Sequence, residues 1–306
     1  MPHTGSATRG HRFSLRSVLV RLLVVALCFQ AAPVFAETTL ETRSIHVDNT
    51  TWSYYEGGTG PTVVLVHGFS SNKDTWLAVA ERLRGRFHLV IPDLPGWGAS
   101  TRIEGGNYDI DAQAARLDAF FRALDLREVS LVGHSMGGAI VGVYAADRPG
   151  RSHRLMLIAP QGLSFDENDF VRELDAGGNP FVFDDRAGVE RTARLVYLNP
   201  PAFTDDDVRA AVADNRRNRG FIETTLAQIR APSQWLALDR SVGRLTIPVA
   251  GVGCRLDKAI DISALRTLRE KLPTARTEVL EGCNHLPLLE LPDETARIVA
   301  AFVEAR

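Results

Sequence analysis

Three side chains in this sequence are of the kinds that together break an acyl bond: Ser135, His285 and Asp257. An imidazole beside a serine can take its proton, and a carboxylate behind the imidazole fixes the tautomer and stabilises the imidazolium that forms. The serine lies in Gly133-His134-Ser135-Met136-Gly137, directly after the apolar run Val129–Val132 and directly before the helix-like run Ala139–Asp147. A buried strand turning sharply into a helix forces its apex residue into a strained backbone. Glycines two before and two after the apex let strand and helix pass closely. The apex side chain then stands above the sheet at a helix N-terminus, whose free N–H groups favour negative charge. The plain alternative is a glycine-rich turn with an idle serine; the flanking strand and helix favour the nucleophile.

Base and acid are sought where strands end, because functional groups in an open α/β sheet gather beyond the strands' C-termini. Gly253-Cys254-Arg255-Leu256-Asp257 follows the strand-like Pro248–Val252, and Glu281-Gly282-Cys283-Asn284-His285 follows Thr277–Leu280. Asp257 could instead cap the next helix; Asp261 suits that role better and stands as the alternative acid. His46 and His88 fall in predicted strands and His153 in a Pro-Gly-Arg loop, so only His285 follows the last strand. His67-Gly68-Phe69 follows the first central strand and offers its backbone. The Phe69 N–H, with the Met136 N–H, can point at a developing oxyanion, each donor being worth about 3–4 kcal/mol. Asp93-Leu94-Pro95-Gly96-Trp97-Gly98-Ala99-Ser100 reads as a tight loop placing Trp97 on the floor of the site, with Asp93 structural.

The elements that must position these groups alternate. Thr39–Val47 and Thr51–Glu56 alternate apolar and polar about Asp48-Asn49 and predict an antiparallel hairpin. Thr62–Val66, Phe87–Ile91, Val129–Val132, Leu155–Ile158, Pro248–Val252 and Thr277–Leu280 are apolar runs expected of buried strands. Helical spacing covers Thr75–Leu83, Asp111–Leu124, Ile262–Leu272 and Glu294–Val303. Such alternation predicts an α/β fold, a mostly parallel central sheet with helices on both faces. Residues of about 160–235 break the pattern: Asp and Arg are frequent, Asn179-Pro180 and Asn199-Pro200-Pro201 punctuate it, and the pieces are helical. The stretch is expected to be an inserted helical cap above the strands' C-terminal ends. Its Phe181 and Phe203 are candidate substrate-binding residues, and Phe165, Phe170, Phe183, Leu195, Tyr197 and Phe221 further candidates for an acyl pocket.

Residues 1–36 stand apart. Arg9, Arg12, Arg16 and Arg21 with no acidic residue, the apolar run Leu22–Phe29, and small residues at Val34 and Ala36 predict a signal peptide cleaved before Glu37. The apolar run falls short of the ~20 residues that span a bilayer; an uncleaved segment would be a membrane anchor. Leu27 before Cys28 disfavours a lipoprotein. Four of the 35 basic residues lie in this segment, leaving 31 against 37 acidic ones, so the chain from residue 37 is mildly acidic and offers no basic nucleic-acid surface. Export to the periplasm or medium is the expected localisation, with residues 37–306 as one domain.

His67-Gly68-Phe69, the Asp93–Ser100 loop, Gly133-His134-Ser135-Met136-Gly137-Gly138, Asp257 and Asn284-His285 together resemble the α/β-hydrolase superfamily, in motif order and over residues 40–306. Asn179-Pro180-Phe181, with Leu157-Ile158-Ala159-Pro160, is similar to its lipase and monoacylglycerol-lipase-like branch. Gly253-Cys254-Arg255 departs from the pattern, since relatives usually carry glycine and an acidic residue at positions 254 and 255. The resemblance implies hydrolysis of a small-molecule or lipid ester through an acyl-enzyme on Ser135, with no cofactor and no metal. The cap would make any peripheral membrane contact. The alternatives are a C–C bond hydrolase, for which Arg186, Arg191 or Arg194 would be the cationic clamp, and a non-catalytic ligand receptor. In this fold the strands before Cys254 and Cys283 are expected to be neighbours. In an exported chain these two cysteines then predict a disulfide; the alternative is two small buried thiols.

Overall fold

The structure is a computed structural model and describes residues 39–305. The signal-peptide reading of residues 1–36 lies outside the described residues. Eight strands build one sheet: β1 (Glu41–Val47), β2 (Thr50–Gly57), β3 (Thr62–Val66), β4 (His88–Pro92), β5 (Val129–His134), β6 (Ser152–Ile158), β7 (Val249–Cys254) and β8 (Arg276–Leu280). Their order is β1-β2-β4-β3-β5-β6-β7-β8. The β1–β2 and β2–β4 pairs are antiparallel and the remaining pairs parallel. Every residue of β5 is buried, as a strand covered on both faces requires.

Side-chain alternation along the strands divides the core between the two faces. On one face Val64, Val66, Leu131 and Leu155 pack with Leu117, Phe120 and Phe121 of α2 (Ile110–Ala123) and with α3 (Met136–Asp147). On the other, Val63, Leu65, Val132 and Met156 pack with Leu83 of α1 (Leu77–Leu83) and Val299 of α11 (Pro292–Glu304). Helix α3 is buried all round from Met136 to Ala145, which explains a composition with no polar stripe. It starts directly after Ser135, three residues earlier than its apolar run suggests, because Met136-Gly137-Gly138 already wind as helix. His153 is the second residue of β6 where a loop is expected, its ring bonding to Ser130 Oγ at 3.3 Å and to the Glu128 carbonyl.

Between Ile158 and Val249 the chain forms no strand. It forms α4 (Asp169–Asp175), α5 (Arg186–Val196), α6 (Asp205–Ile229), α7 (Pro232–Trp235) and α8 (Ala237–Ser241). The long α6 begins in a capping box, Thr204 receiving the Asp207 N–H while the Asp207 carboxylate receives the Thr204 N–H. Helices α9 (Ala264–Lys271) and α10 (Pro287–Glu290) flank β8. Among the described residues no helix is long and apolar enough to cross a membrane.

Candidate active site

Ser135 stands between β5 and α3 with φ 53° and ψ −120°, a left-handed backbone that a serine tolerates only where its surroundings enforce it. A Cβ on Gly133 would lie 2.4 Å from the Gly137 carbonyl oxygen, and one on Gly137 2.4 Å from that of His67. Glycine at both positions is therefore the condition for strand β5, helix α3 and the end of β3 to meet so closely. The turn aims Ser135 Oγ at His285, whose Nε2 is 3.0 Å away. His285 Nδ1 lies 2.9 Å from Asp257 Oδ2. A carboxylate only accepts, so Nδ1 carries the proton and Nε2 is left to receive the serine's. All three side chains are buried. Asp257 Oδ1 also accepts the Ala259 and Ile260 N–H groups at 2.8 and 2.9 Å, which holds the carboxylate. Asp261 turns instead to the Ser263 N–H at 2.9 Å, ahead of α9.

Cys254 ends β7 opposite Leu280 of β8, and it is bonded to Cys283 with the Cα atoms 5.5 Å apart. The bridge joins the Asp257 loop to the His285 loop. Its sequence separation of 29 corresponds to about 3–4 kcal/mol of stabilisation by loss of unfolded-chain entropy.

Met136 is the first residue of α3, where helix geometry leaves its N–H without a partner inside the helix. The Phe69 loop is braced by His67. Leu94 N–H donates to His67 Nε2 at 3.0 Å, so Nδ1 carries the proton and donates to the Gly68 carbonyl at 2.8 Å. His134 donates from Nε2 to the His285 carbonyl at 2.8 Å. Burial pushes His67 down from 6.5 to about 4, against the opposing pull of the Gly68 hydrogen bond. It pushes His134 down to about 3, with His285 adding to the effect.

Both rings are thus neutral when folded, while the unfolded chain protonates each near 6.5. Their stability is present in full above pH 6.5 and is lost as pH falls toward about 4 for His67 and about 3 for His134. The unfolding free energy in urea is expected to drop between about pH 6.5 and about pH 5, by up to about 1.4 kcal/mol per unit for each ring. His67→Gln and His134→Gln should each flatten that slope, and an unchanged slope in both variants would contradict it.

Above Ser135 lies a cavity of about 770 Å³, reached by Phe69, Trp97, Phe181, Tyr197, Ile222 and His285. An apolar slot of about 40 Å³ also touches Ser135, between Met136, Phe170, Leu226, Ile229 and Trp235. Phe69 and Phe181 border both, and their rings meet edge to face at 5.0 Å. Trp97 continues the series onto Phe69 and Phe221. Phe183 also faces the larger cavity. The expectation for Phe203 is corrected: it lines neither cavity, because it precedes the Thr204 cap of α6, where its carbonyl accepts from Arg186 at 3.2 Å. Arg186 is paired with Asp205 and Arg194 with Glu190, and neither they nor the exposed Arg191 line a cavity.

Two residues beside the site are not marked in the sequence: Lys73, whose Nζ meets the buried Asp93 Oδ2 at 2.6 Å, and Glu290, which accepts the Asn284 N–H at 2.8 Å. A lone lysine and a glutamate between predicted elements carry no periodic signal. Both are recognisable only from the charge or N–H group that the fold brings to them.

The arrangement is similar to that of known proteins. The chain is 28% identical over 281 residues to "Monoacylglycerol lipase ABHD6" of Homo sapiens, covering 86% of this chain and 82% of the relative. It is 28% identical to "Lipase 3" of Moraxella sp. (strain TA144), covering 87% and 86%. Among solved structures, that of "a membrane phospholipase A, a novel bacterial virulence factor" superposes with a TM-score of 0.82 at 30% identity, covering 87% of this chain and 86% of that one. The model of the alpha/beta hydrolase family matches residues 63–298, from β3 into α11 and through both loops that meet at Ser135. On that match and this strand order, the chain belongs to the alpha/beta hydrolase family.

Proposed function

We propose that this protein hydrolyses carboxylic esters of lipids through an acyl-enzyme on Ser135, with His285 as base and Asp257 as orienting acid. The observation that carries the reading is the unbroken chain from Ser135 Oγ to His285 Nε2, 3.0 Å, and from His285 Nδ1 to Asp257 Oδ2, 2.9 Å, at the foot of a cavity. His285 takes the hydroxyl proton as Ser135 Oγ attacks the ester carbonyl. The Phe69 and Met136 N–H groups receive the oxyanion, and the imidazolium then protonates the departing alcohol. Water repeats the sequence on the acyl-enzyme. Relatives named as lipases support an ester, and the aromatic border of the cavity supports an acyl chain. A C–C bond hydrolase is less well supported, since none of the three insertion arginines weighed as its clamp reaches a cavity.

Residues of about 160–235 act in this reading as a cap over the site, and residues 1–36 as an export signal. A disulfide beside the site suits the oxidising compartment that export would reach.

Chain length is set where Phe181 divides the two cavities. Phe181→Ala joins them and should shift the ratio of kcat/KM on long over short p-nitrophenyl esters by about fivefold or more, equivalent to about 1 kcal/mol. The same ester series on the wild-type enzyme tests the function itself. No turnover of any ester would remove the reading, and an unchanged ratio would remove the role of Phe181.

A further inference from the structure

Helix α5 ends with its last carbonyls unpaired inside the helix, as every helix does. Here its last three carbonyls and that of the next residue, Tyr197, are taken up by the two loops that carry Asp257 and His285. The Arg194 carbonyl accepts from Lys258 Nζ at 3.3 Å, and the Val196 carbonyl from the His285 N–H at 3.1 Å. The Leu195 and Tyr197 carbonyls both accept from Asn284 Nδ2, at 3.0 and 3.1 Å. Asn284 is fully buried, and its Oδ1 accepts the Lys258 N–H at 2.8 Å, directly after Asp257. Its own N–H goes to Glu290 Oε2, while Glu290 Oε1 accepts the Leu198 N–H at 2.7 Å and the Asn199 N–H at 3.3 Å. One asparagine thus joins the acid loop, the base loop and the end of an insertion helix.

We propose that the C-terminal end of α5 is part of the mounting that holds His285 against Ser135, with Asn284 as its positioning residue. The helical insertion then sets the position of the base as well as roofing the cavity. A roof alone needs no bond to His285 itself, yet the His285 backbone donates to α5 on one side while its carbonyl accepts from His134 on the other. Any displacement of residues 194–199 is therefore carried into the imidazole. The proposal rests on the reading of Ser135, His285 and Asp257 as the triad.

Asn284→Asp separates the two sides of the joint. It keeps an acceptor for the Lys258 N–H but replaces the donor to α5 with an oxygen facing two carbonyls. On a short p-nitrophenyl ester, kcat is expected to fall by about 10- to 100-fold, the scale of an ångström-sized misplacement of a reacting group. KM should stay within about threefold, because no side chain that lines the cavity is replaced. Labelling of Ser135 by a small fluorophosphonate should slow by the same factor, since it needs the base and no chain beneath the insertion. A folded Asn284→Asp enzyme with wild-type kcat, or with a loss confined to KM, overturns the proposal. Should that variant not accumulate as folded protein, Glu290→Gln serves with the same two outcomes, because one amide cannot accept from both Asn284 and the Leu198–Asn199 pair. If the triad reading itself were at fault, Ser135→Ala would stay active; if only this proposal were, Ser135→Ala would be inactive and Asn284→Asp unimpaired.

Discussion

Ser135→Ala and His285→Ala are each expected to lower kcat by about 10^4- to 10^6-fold, with circular dichroism and thermal midpoint close to wild type. The serine removes the attacking atom, and the histidine removes the only ring within hydrogen-bond distance of Ser135 Oγ among the described residues. Because the two act as a unit, the double variant should be hardly slower than either single one. Asp257→Asn keeps the shape but can present an N–H to His285 Nδ1, which favours the wrong tautomer, so a loss of about 10^4-fold is expected there too. A mild effect of Asp257→Asn would return the role of acid to another carboxylate. Rates on one p-nitrophenyl ester at saturating concentration decide all of these.

The largest expected loss of stability lies in the buried pair formed by Lys73 and Asp93. Asp93 is fully buried and Lys73 nearly so, with Nζ 2.6 Å from Oδ2. The carboxylate also receives the Lys73 N–H at 2.8 Å and the Ala99 N–H at 2.9 Å. Lys73→Met removes the countercharge but leaves the carboxylate buried, and should lower the unfolding free energy by about 3–5 kcal/mol. Lys73→Met with Asp93→Leu should cost less than the sum of the single changes, because no charge is then stranded. Urea unfolding of the three variants measures this. A loss below about 1 kcal/mol in Lys73→Met would mean that water or another group reaches Asp93.

Much of this architecture was legible because the strands are short apolar runs with nothing else to be. Val63–Val66 and Val129–Val132 have no polar residue but Ser130, and both are central in the sheet. The hairpin β1–β2 followed from alternation about Asp48-Asn49. Helix boundaries were less legible. The segment expected as one helix from Thr75 begins with a 3-10 turn at Lys73–Trp76, capped by Asn72, and Pro287–Glu290 gave too short a pattern to be read as helix.

Within the site, residues marked by glycine spacing or strand ends could be singled out from the chain alone. Ser135, His285 and Asp257 do converge, although they lie more than a hundred residues apart at the extremes. The partners that set their orientation could not be found in the same way. Asn284 looks like one more loop residue until α5 is placed against it, and Phe203 resembles Phe181 in sequence yet lines neither cavity. Aromatic type predicts burial, while the wall that a ring joins is decided by how the insertion helices pack.

The central claim is that Ser135 is a nucleophile activated by His285, and reaction with a fluorophosphonate followed by peptide mass mapping tests it most directly. The account predicts a single phosphonyl adduct on the peptide containing Ser135, concurrent loss of esterase activity, and labelling abolished in Ser135→Ala and slowed by orders of magnitude in His285→Ala. An unlabelled wild-type protein, or one still hydrolysing esters at full rate with Ser135 phosphonylated, would contradict it.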